Sequence, residues 1–171
     1  MNESCAFSIA QYMSSLLSEA ELRSAVGSFI GRMVMELSRF ELNLDLCLRH
    51  LVGGSEPVLL NPLIERLSLK AKMDALREVI ARRHAGEAEC LREFNAWYAV
   101  MDRIRAKRNA FIHGGWVFNY YEQEVTNLAP GLPGSITRKE TRYSLPALEQ
   151  ELTSTEAAAR DFIELRRQWG F

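Results

Sequence analysis

Three side chains that can perform acid–base and phosphate chemistry lie within six residues of this sequence: Arg108, Asn109 and His113. A histidine can take up or release a proton near neutral pH. An arginine can bind a phosphate through paired hydrogen bonds and offset the charge on its oxygens. With an asparagine amide to orient the phosphate or the imidazole, these groups suit attack of a ribose 2′-hydroxyl on its adjacent phosphodiester. The sequence therefore predicts RNA cleavage that needs no metal.

The helix that must carry these residues has a hydrophobic stripe, and Arg108 interrupts it. Between Glu87 and His113 the large apolar residues recur at alternating spacings of three and four, as in an amphipathic helix. They are Phe94, Trp97, Met101, Ile104 and Phe111. Arg108 takes the next place in this series, so packing alone does not explain it. Gly114-Gly115 then ends the helix and leaves His113 in its last turn.

A polar flank borders this stripe and supplies candidate supporting residues. At about 100° per residue, Asp102, Arg105, Asn109 and His113 fall within an arc of about 80°. We predict that Asp102 and Arg105 support RNA binding. Trp116, just after the helix, is either an anchor for a hairpin or a platform on which a base stacks.

Glu41 is a second charged residue in a hydrophobic position, because it lies about 40° from the direction of Leu37 on its own helix. It is predicted to support the site by orienting Arg108, as a carboxylate behind a functional arginine can. The alternative is that Glu41 and Arg108 form a buried ion pair with a structural role only. His113 likewise has an alternative role, since a cation in a last turn interacts favourably with the terminal carbonyls.

The length and composition indicate one globular domain over residues 1–171. Hydrophobic residues make up 47% of the 171 residues, which is enough for a sizeable core. The net charge of −1 excludes a generally basic surface that binds nucleic acid without specificity. Any RNA binding must therefore be local, as in the basic run that contains Arg103, Arg105, Lys107 and Arg108.

Cysteine usage and hydropathy favour a cytoplasmic protein. Cys5, Cys47 and Cys90 are odd in number and widely spaced, which argues against a disulfide framework or a zinc knuckle and favours reduced thiols. No run reaches the roughly 18 apolar residues of a membrane span. The first residues lack the basic start of a signal peptide. We expect no membrane association.

Hydrophobic periodicity predicts an all-α fold, an up-and-down four-helix bundle with an extra N-terminal helix over residues 4–17. The four long helices are expected at about 21–52, 62–84, 87–113 and 144–170. Asn61 and Pro62 have the residue types preferred at the cap and first position of the second helix. Ser144 is the expected cap of the last helix.

A small β-hairpin is predicted as an insertion before the last helix, at about 116–144. Its strands are the aromatic and β-branched segments 116–121 and 137–143, separated by a long loop that contains two Pro-Gly pairs.

The ligand patterns of the usual helical-bundle metal sites do not occur, so no metal and no cofactor are expected. Carboxylate-bridged metal bundles use a glutamate three residues before a histidine. Here the residues three before His50, His84 and His113 are Cys47, Ala81 and Ala110. Glycine-rich phosphate loops are also absent from the sequence.

The run Arg108-Asn109-Ala110-Phe111-Ile112-His113 resembles the signature of the HEPN superfamily. That signature is an arginine followed by a polar residue, often asparagine, with a histidine after four to six intervening positions, near the end of a bundle helix. The resemblance covers about Glu21 to Arg167, with its specificity in the six residues. It implies an all-α ribonuclease of toxin or defence type, with Arg108, Asn109 and His113 as the catalytic residues.

The resemblance also implies a homodimer with the motifs of both protomers at the interface. Helix geometry agrees, because Arg108 and His113 differ by about 140° around the axis and one helix presents them poorly to one phosphate. Two alternatives stay open. One is a noncatalytic module that binds RNA or a nucleotide, or that pairs with an antitoxin of nucleotidyltransferase type. The other is a purely structural helical dimer.

Overall fold

The structure is a computed structural model, and it describes residues 16–52, 57–129 and 139–171 of the chain. These residues form five helices and three strands. In chain order they are α1 (Glu19–Val52), α2 (Pro57–Ile64), α3 (Leu69–Arg83), α4 (Ala88–His113), β1 (Gly115–Asn119), β2 (Glu124–Leu128), β3 (Glu140–Ser144) and α5 (Leu145–Trp169). The predicted all-α fold with a small β insertion before the last helix is confirmed. The helix predicted over 4–17 falls almost wholly outside the described residues.

Side-chain caps fix where two of the long helices begin. Before α1, the Ser18 backbone N–H donates to Glu21 Oε2 at 2.8 Å, and Glu21 N–H donates to Ser18 Oγ at 3.3 Å. This reciprocal pair is a capping box. Ser144 accepts from the Ala147 N–H at 3.3 Å, so its predicted role at the start of α5 is confirmed.

The predicted start of the second helix is wrong. Asn61 and Pro62 lie inside the short helix α2, whose first residue is Pro57, and the chain turns before α3 begins. Ser68 caps α3 by accepting from the Ala71 N–H at 3.2 Å. Pro57 has the same preference for a first helical position as Pro62, so the proline rule alone could not choose between them.

The chain divides into two compact units, with the second boundary inside α4. Unit 1 comprises Met1–Gly31 and Asn109–Gln150, and unit 2 comprises Arg32–Arg108 and Glu151–Phe171. A single domain over 1–171 stays a prediction.

Unit 2 is helical and has an aromatic core. Phe40 of α1, Trp97 of α4 and Phe162 of α5 pack with ring centroids 4.9 to 5.8 Å apart. The Trp97 indole N–H donates to the Ala158 carbonyl at 2.9 Å, so its polar group is satisfied inside this core.

Unit 1 contains the sheet, which has three antiparallel strands in the order β1-β2-β3. The predicted two-stranded pairing of 116–121 with 137–143 is therefore wrong, because β2 lies between these segments and pairs with both. The turn into β2 has no glycine, and Gln123 adopts the left-handed conformation with φ of 53°. A glutamine at such a position gives no turn signal in a sequence.

Candidate functional site

Helix α4 ends at His113, as predicted, and the sheet holds this end in place. The Gly114 N–H donates to the Ala110 carbonyl at 2.8 Å, and the Asn127 side chain donates to the same carbonyl at 3.2 Å. A Cβ on Gly114 would lie 2.4 Å from the Ala110 oxygen and 2.7 Å from the Leu128 oxygen. Only glycine fits at this position, where β2 passes close to the helix end.

The three predicted catalytic residues differ in accessibility. His113 is exposed, whereas Arg108 and Asn109 are half-buried. Both half-buried side chains interact with other groups of the chain. The imidazole is therefore accessible to a ligand, and the Arg108 side chain is less accessible.

An ion pair lies on the polar flank of α4. Arg105 Nε donates to Asp102 Oδ1 at 2.8 Å, and both side chains are half-buried. Asp102 therefore orients the Arg105 guanidinium on the side of the helix where the sequence placed both residues.

Trp116 has the contacts of an anchor. Its indole N–H donates to the Phe111 carbonyl at 2.9 Å, and its ring lies 5.3 Å from that of Phe111 and 6.4 Å from that of Tyr143. Trp116 thus joins β1 to the last turn of α4 and to β3, all within unit 1. Its N–H is engaged inside the protein.

Glu41 pairs with a lysine that sequence reasoning missed. Lys72 of α3 lies 2.8 Å from Glu41 Oε1 and 2.9 Å from Asp45 Oδ1, and its side chain is only 5% exposed. Two signals were present: Lys72 lies four residues before the buried Leu76, and Glu41 and Asp45 form a like-charged i,i+4 pair that needs a cation. A contact between Glu41 and Arg108 stays a prediction.

The Lys72 ammonium remains charged in this setting. Burial lowers the pKa of Lys72, but hydrogen bonds to Glu41 and Asp45 and the charges of both carboxylates outweigh burial and raise that pKa above its ordinary value. This cluster fixes α3 against α1.

A second polar cluster joins α3 to α4. Lys70 Nζ lies 2.6 Å from Asp74 Oδ1 and 2.5 Å from the Tyr98 hydroxyl, and that hydroxyl also donates to Asp74. The hydrogen bonds from Lys70 and then from Tyr98 hold the pKa of the Asp74 carboxyl below its ordinary value. Lys70 and Asp74 are four residues apart on α3 and form an ordinary helical ion pair, whereas the contact with Tyr98 on α4 is one that sequence reasoning missed.

Cys47 and Cys90 are free and buried, as expected for core thiols, and Cys5 lies outside the described residues. Burial raises the pKa of Cys47 to about 11, which keeps it protonated and unreactive at neutral pH. Burial, with the charges of Glu87 and Glu93, also raises the pKa of Cys90. Among the described residues, His84, Glu87 and Cys90 form a group whose ligand atoms could hold a metal ion.

A cavity of about 270 Å³ lies in unit 2 between α1 and α5. Its apolar wall includes Phe40 and Phe162, and charges of both signs surround it. None of the residues predicted for catalysis or RNA binding lines this cavity, so it is separate from the motif.

No protein-family model, curated protein or solved structure matches this chain. Within the described ranges, no helix combines the length and the apolar character needed to cross a membrane. The resemblance to the HEPN superfamily thus depends on the six-residue motif and on the helical fold.

Proposed function

We propose that the chain is a metal-independent endoribonuclease of toxin or defence type, with His113, Arg108 and Asn109 as its catalytic residues. The observation that carries this proposal is the exposure of His113 at the last residue of α4. Asn109 lies one helical turn earlier, on the same side of the helix. An exposed imidazole with an amide beside it suits proton transfer to and from a bound polynucleotide.

The reaction uses proton transfer and charge stabilisation alone. The imidazole takes the proton from the ribose 2′-hydroxyl, and that oxygen forms a bond to the adjacent phosphorus. The bond from phosphorus to the 5′-oxygen breaks, and this oxygen receives a proton as it leaves. The products are a 2′,3′-cyclic phosphate and a 5′-hydroxyl. Arg108, which is half-buried, offsets the phosphate charge more strongly than it would in water.

Two protomers complete the site in this proposal. On one helix Arg108 and His113 are about 7.5 Å apart along the axis and point about 140° apart. A twofold axis would bring two imidazoles and two guanidinium groups to one cleft, so that one histidine acts as base and the other as acid. Ile112 is 37% exposed and Val117 is 54% exposed, and these apolar side chains near His113 in the chain suit an interface.

The test is cleavage of a single-stranded RNA in buffer with a chelator, with the fold checked by circular dichroism in the same buffer. We expect His113→Ala to lower the rate at least about a hundredfold, the lower end of what an acid–base group supplies. Arg108→Ala is expected to lower it as well. His50→Ala is the matched control, because His50 is also exposed in the last turn of a long helix.

The substrate provides a second control. An RNA with a 2′-deoxy residue on the 5′ side of the cleaved bond should resist cleavage there, because the nucleophile is missing. Equal loss of activity in His50→Ala and His113→Ala, or cleavage of the deoxy substrate, would contradict the mechanism. RNA binding without cleavage would favour the noncatalytic module. The absence of both RNA binding and RNA cleavage would favour a structural role.

A further inference from the structure

Three potential metal ligands meet at the turn between α3 and α4. His84 is the C-terminal cap of α3, Glu87 directly precedes α4, and Cys90 lies in its first turn. The Glu87 N–H donates to the His84 carbonyl at 2.9 Å and closes the turn. With this backbone, the spacing of three and three residues brings the ligand atoms of all three side chains within 4.8 Å of one another.

His84 is in an environment that is unusual for a core histidine. It is only 7% exposed, yet neither ring nitrogen has a hydrogen-bond partner. Nδ1 lies 3.2 Å from Glu87 Oε2, but this contact does not have hydrogen-bond geometry. Buried polar atoms are nearly always hydrogen-bonded, and one that is not indicates a missing water or ion. His84 Nδ1 and Glu87 Oε2 can each donate an electron pair, and they lie close together without a hydrogen bond between them. This is the arrangement expected of two ligands that bind one metal ion.

We propose that His84, Glu87 and Cys90 bind a divalent transition-metal ion, with Zn²⁺ as the preferred ion. Imidazole nitrogen, thiolate sulfur and carboxylate oxygen are the three ligand types of protein zinc sites. Bond lengths of about 2.0 to 2.3 Å in a tetrahedron separate the ligand atoms by about 3.3 to 3.7 Å. The observed 3.2 Å between His84 Nδ1 and Glu87 Oε2 lies close to these separations. All three ligand atoms lie within 4.8 Å of one another, so small side-chain rotations bring them to one ion.

The exposure of the three side chains determines where the fourth ligand enters. Cys90 is fully buried and His84 nearly so, whereas the Glu87 side chain is 51% exposed. A water molecule can therefore complete the coordination from the Glu87 side. On binding, the Cys90 sulfur bonds to the metal and its thiol proton leaves to solvent. Phe171 packs edge-on against the His84 ring at 6.2 Å and helps to hold its orientation.

The site is independent of the proposed ribonuclease. It lies at the first turn of α4, whereas the motif residues lie at the last turns of the same helix. The metal is assigned no part in RNA cleavage. A chain that binds metal here but cleaves no RNA would contradict only the proposed function.

The test is titration of the full, metal-free chain with Co²⁺, followed by displacement with Zn²⁺. Cobalt bound through a thiolate gives a charge-transfer absorption that a site of nitrogen and oxygen alone does not. We expect this absorption to saturate at one equivalent in the wild type and in Cys47→Ala, and to be lost in Cys90→Ala. Cys47 is the matched control, because it is also buried and free in unit 2.

A second pair of variants avoids substitutions in the core. Glu87→Gln should weaken cobalt binding at least about tenfold. Loss of a residue that only hydrogen-bonds to a metal ligand already costs about tenfold, and Glu87 is proposed as a ligand itself. Glu89→Gln should leave it unchanged, because the exposed Glu89 pairs with Arg92. The proposal is overturned if the wild type shows no thiolate absorption or if Cys90→Ala retains it. If Cys90→Ala does not fold, unchanged affinity in Glu87→Gln overturns it.

Discussion

Lys72 shows how a charge is kept inside a helical unit. Its ammonium group lies between Glu41 and Asp45, two carboxylates one turn apart on α1, and it neutralises both. A buried charge is tolerated when it is paired and hydrogen-bonded, and removing one partner leaves the others uncompensated. The stability of unit 2 should therefore depend on this lysine more than on any exposed ion pair.

We expect Lys72→Met to lower the free energy of unfolding by about 2–3 kcal/mol. Breaking a fully buried ion pair typically costs about 3–5 kcal/mol. The loss expected here is smaller, because the Glu41 side chain is 36% exposed. Urea unfolding at neutral pH measures the change. Lys107→Met is the control, since the exposed pair of Lys107 with Glu151 should contribute about 1 kcal/mol or less. Equal losses in the two variants would contradict the buried role of Lys72.

Asp74 gives a prediction about pH. The pKa of its carboxyl is lower in the folded chain than the ordinary value of about 3.9. The unfolded chain therefore takes up this proton first as the pH falls. The stabilisation is fully present above about pH 3.9 and is lost as the pH falls through the lower, folded pKa.

We expect the difference in Tm between the wild type and Asp74→Asn to be constant from neutral pH to about pH 5 and to shrink at lower pH. Thermal unfolding followed by circular dichroism over this range checks it. A difference that does not change down to about pH 2 would mean that Asp74 acts through packing alone.

Single residues on α4 could be placed from the sequence, but contacts between helices could not. The polar flank with Asp102 and Arg105, the end at His113 and the hydrophobic position of Arg108 all follow from helical periodicity. Lys72 and Tyr98 were missed, because their partners lie on other helices and periodicity within one helix does not identify contacts between helices.

At the scale of elements, helix α4 and strand β2 meet at Gly114. Helix ends often use glycine for its backbone freedom, but here the requirement is space, since two carbonyl oxygens occupy the position of a Cβ. Neither oxygen can move without shifting the backbone of α4 or β2.

We expect Gly114→Ala to destabilise the chain by about 1–3 kcal/mol, as overpacking does. Gly27→Ala should instead stabilise the chain, by about 0.5–1 kcal/mol, because alanine favours a helix interior over glycine. Gly27 lies inside α1 with nothing within 4 Å of the added methyl group. Thermal or urea unfolding of both variants provides the comparison, and a neutral Gly114→Ala would show that the crowding at β2 is absent.

The long helices could be predicted because each repeats its apolar residues over many turns. The division between α2 and α3 could not, since both prolines fit a helix start and only the serine at 68 supplies the capping acceptor. Strand β2 was missed for a similar reason. It is only five residues long and follows a turn without glycine, so neither its length nor its flanks distinguished it from a loop.

At the scale of the whole molecule, the proposed site requires two copies of the chain. We expect sedimentation equilibrium at micromolar concentration to give twice the 19.5 kDa mass of one chain. Val117→Lys should shift this equilibrium toward the monomer and lower RNA cleavage together with it, because a charge would be buried at the interface.

Met35→Lys is the comparison, since Met35 is 66% exposed in unit 2 and is not assigned to the interface. It should leave the mass unchanged. A strict monomer in the wild type that still cleaves RNA would refute the shared site while leaving the chemistry of a single motif intact.

The hydrogen bond from Asn127 to the Ala110 carbonyl ties the last turn of the motif helix to a residue that no motif includes. Under the proposed function, a substitution at position 127 would change the support of the helix end that carries the imidazole while every signature residue stayed the same. Two sequences with the same six-residue signature would then differ in cleavage rate. The proposal therefore makes the middle strand, and not the signature alone, a determinant of that rate.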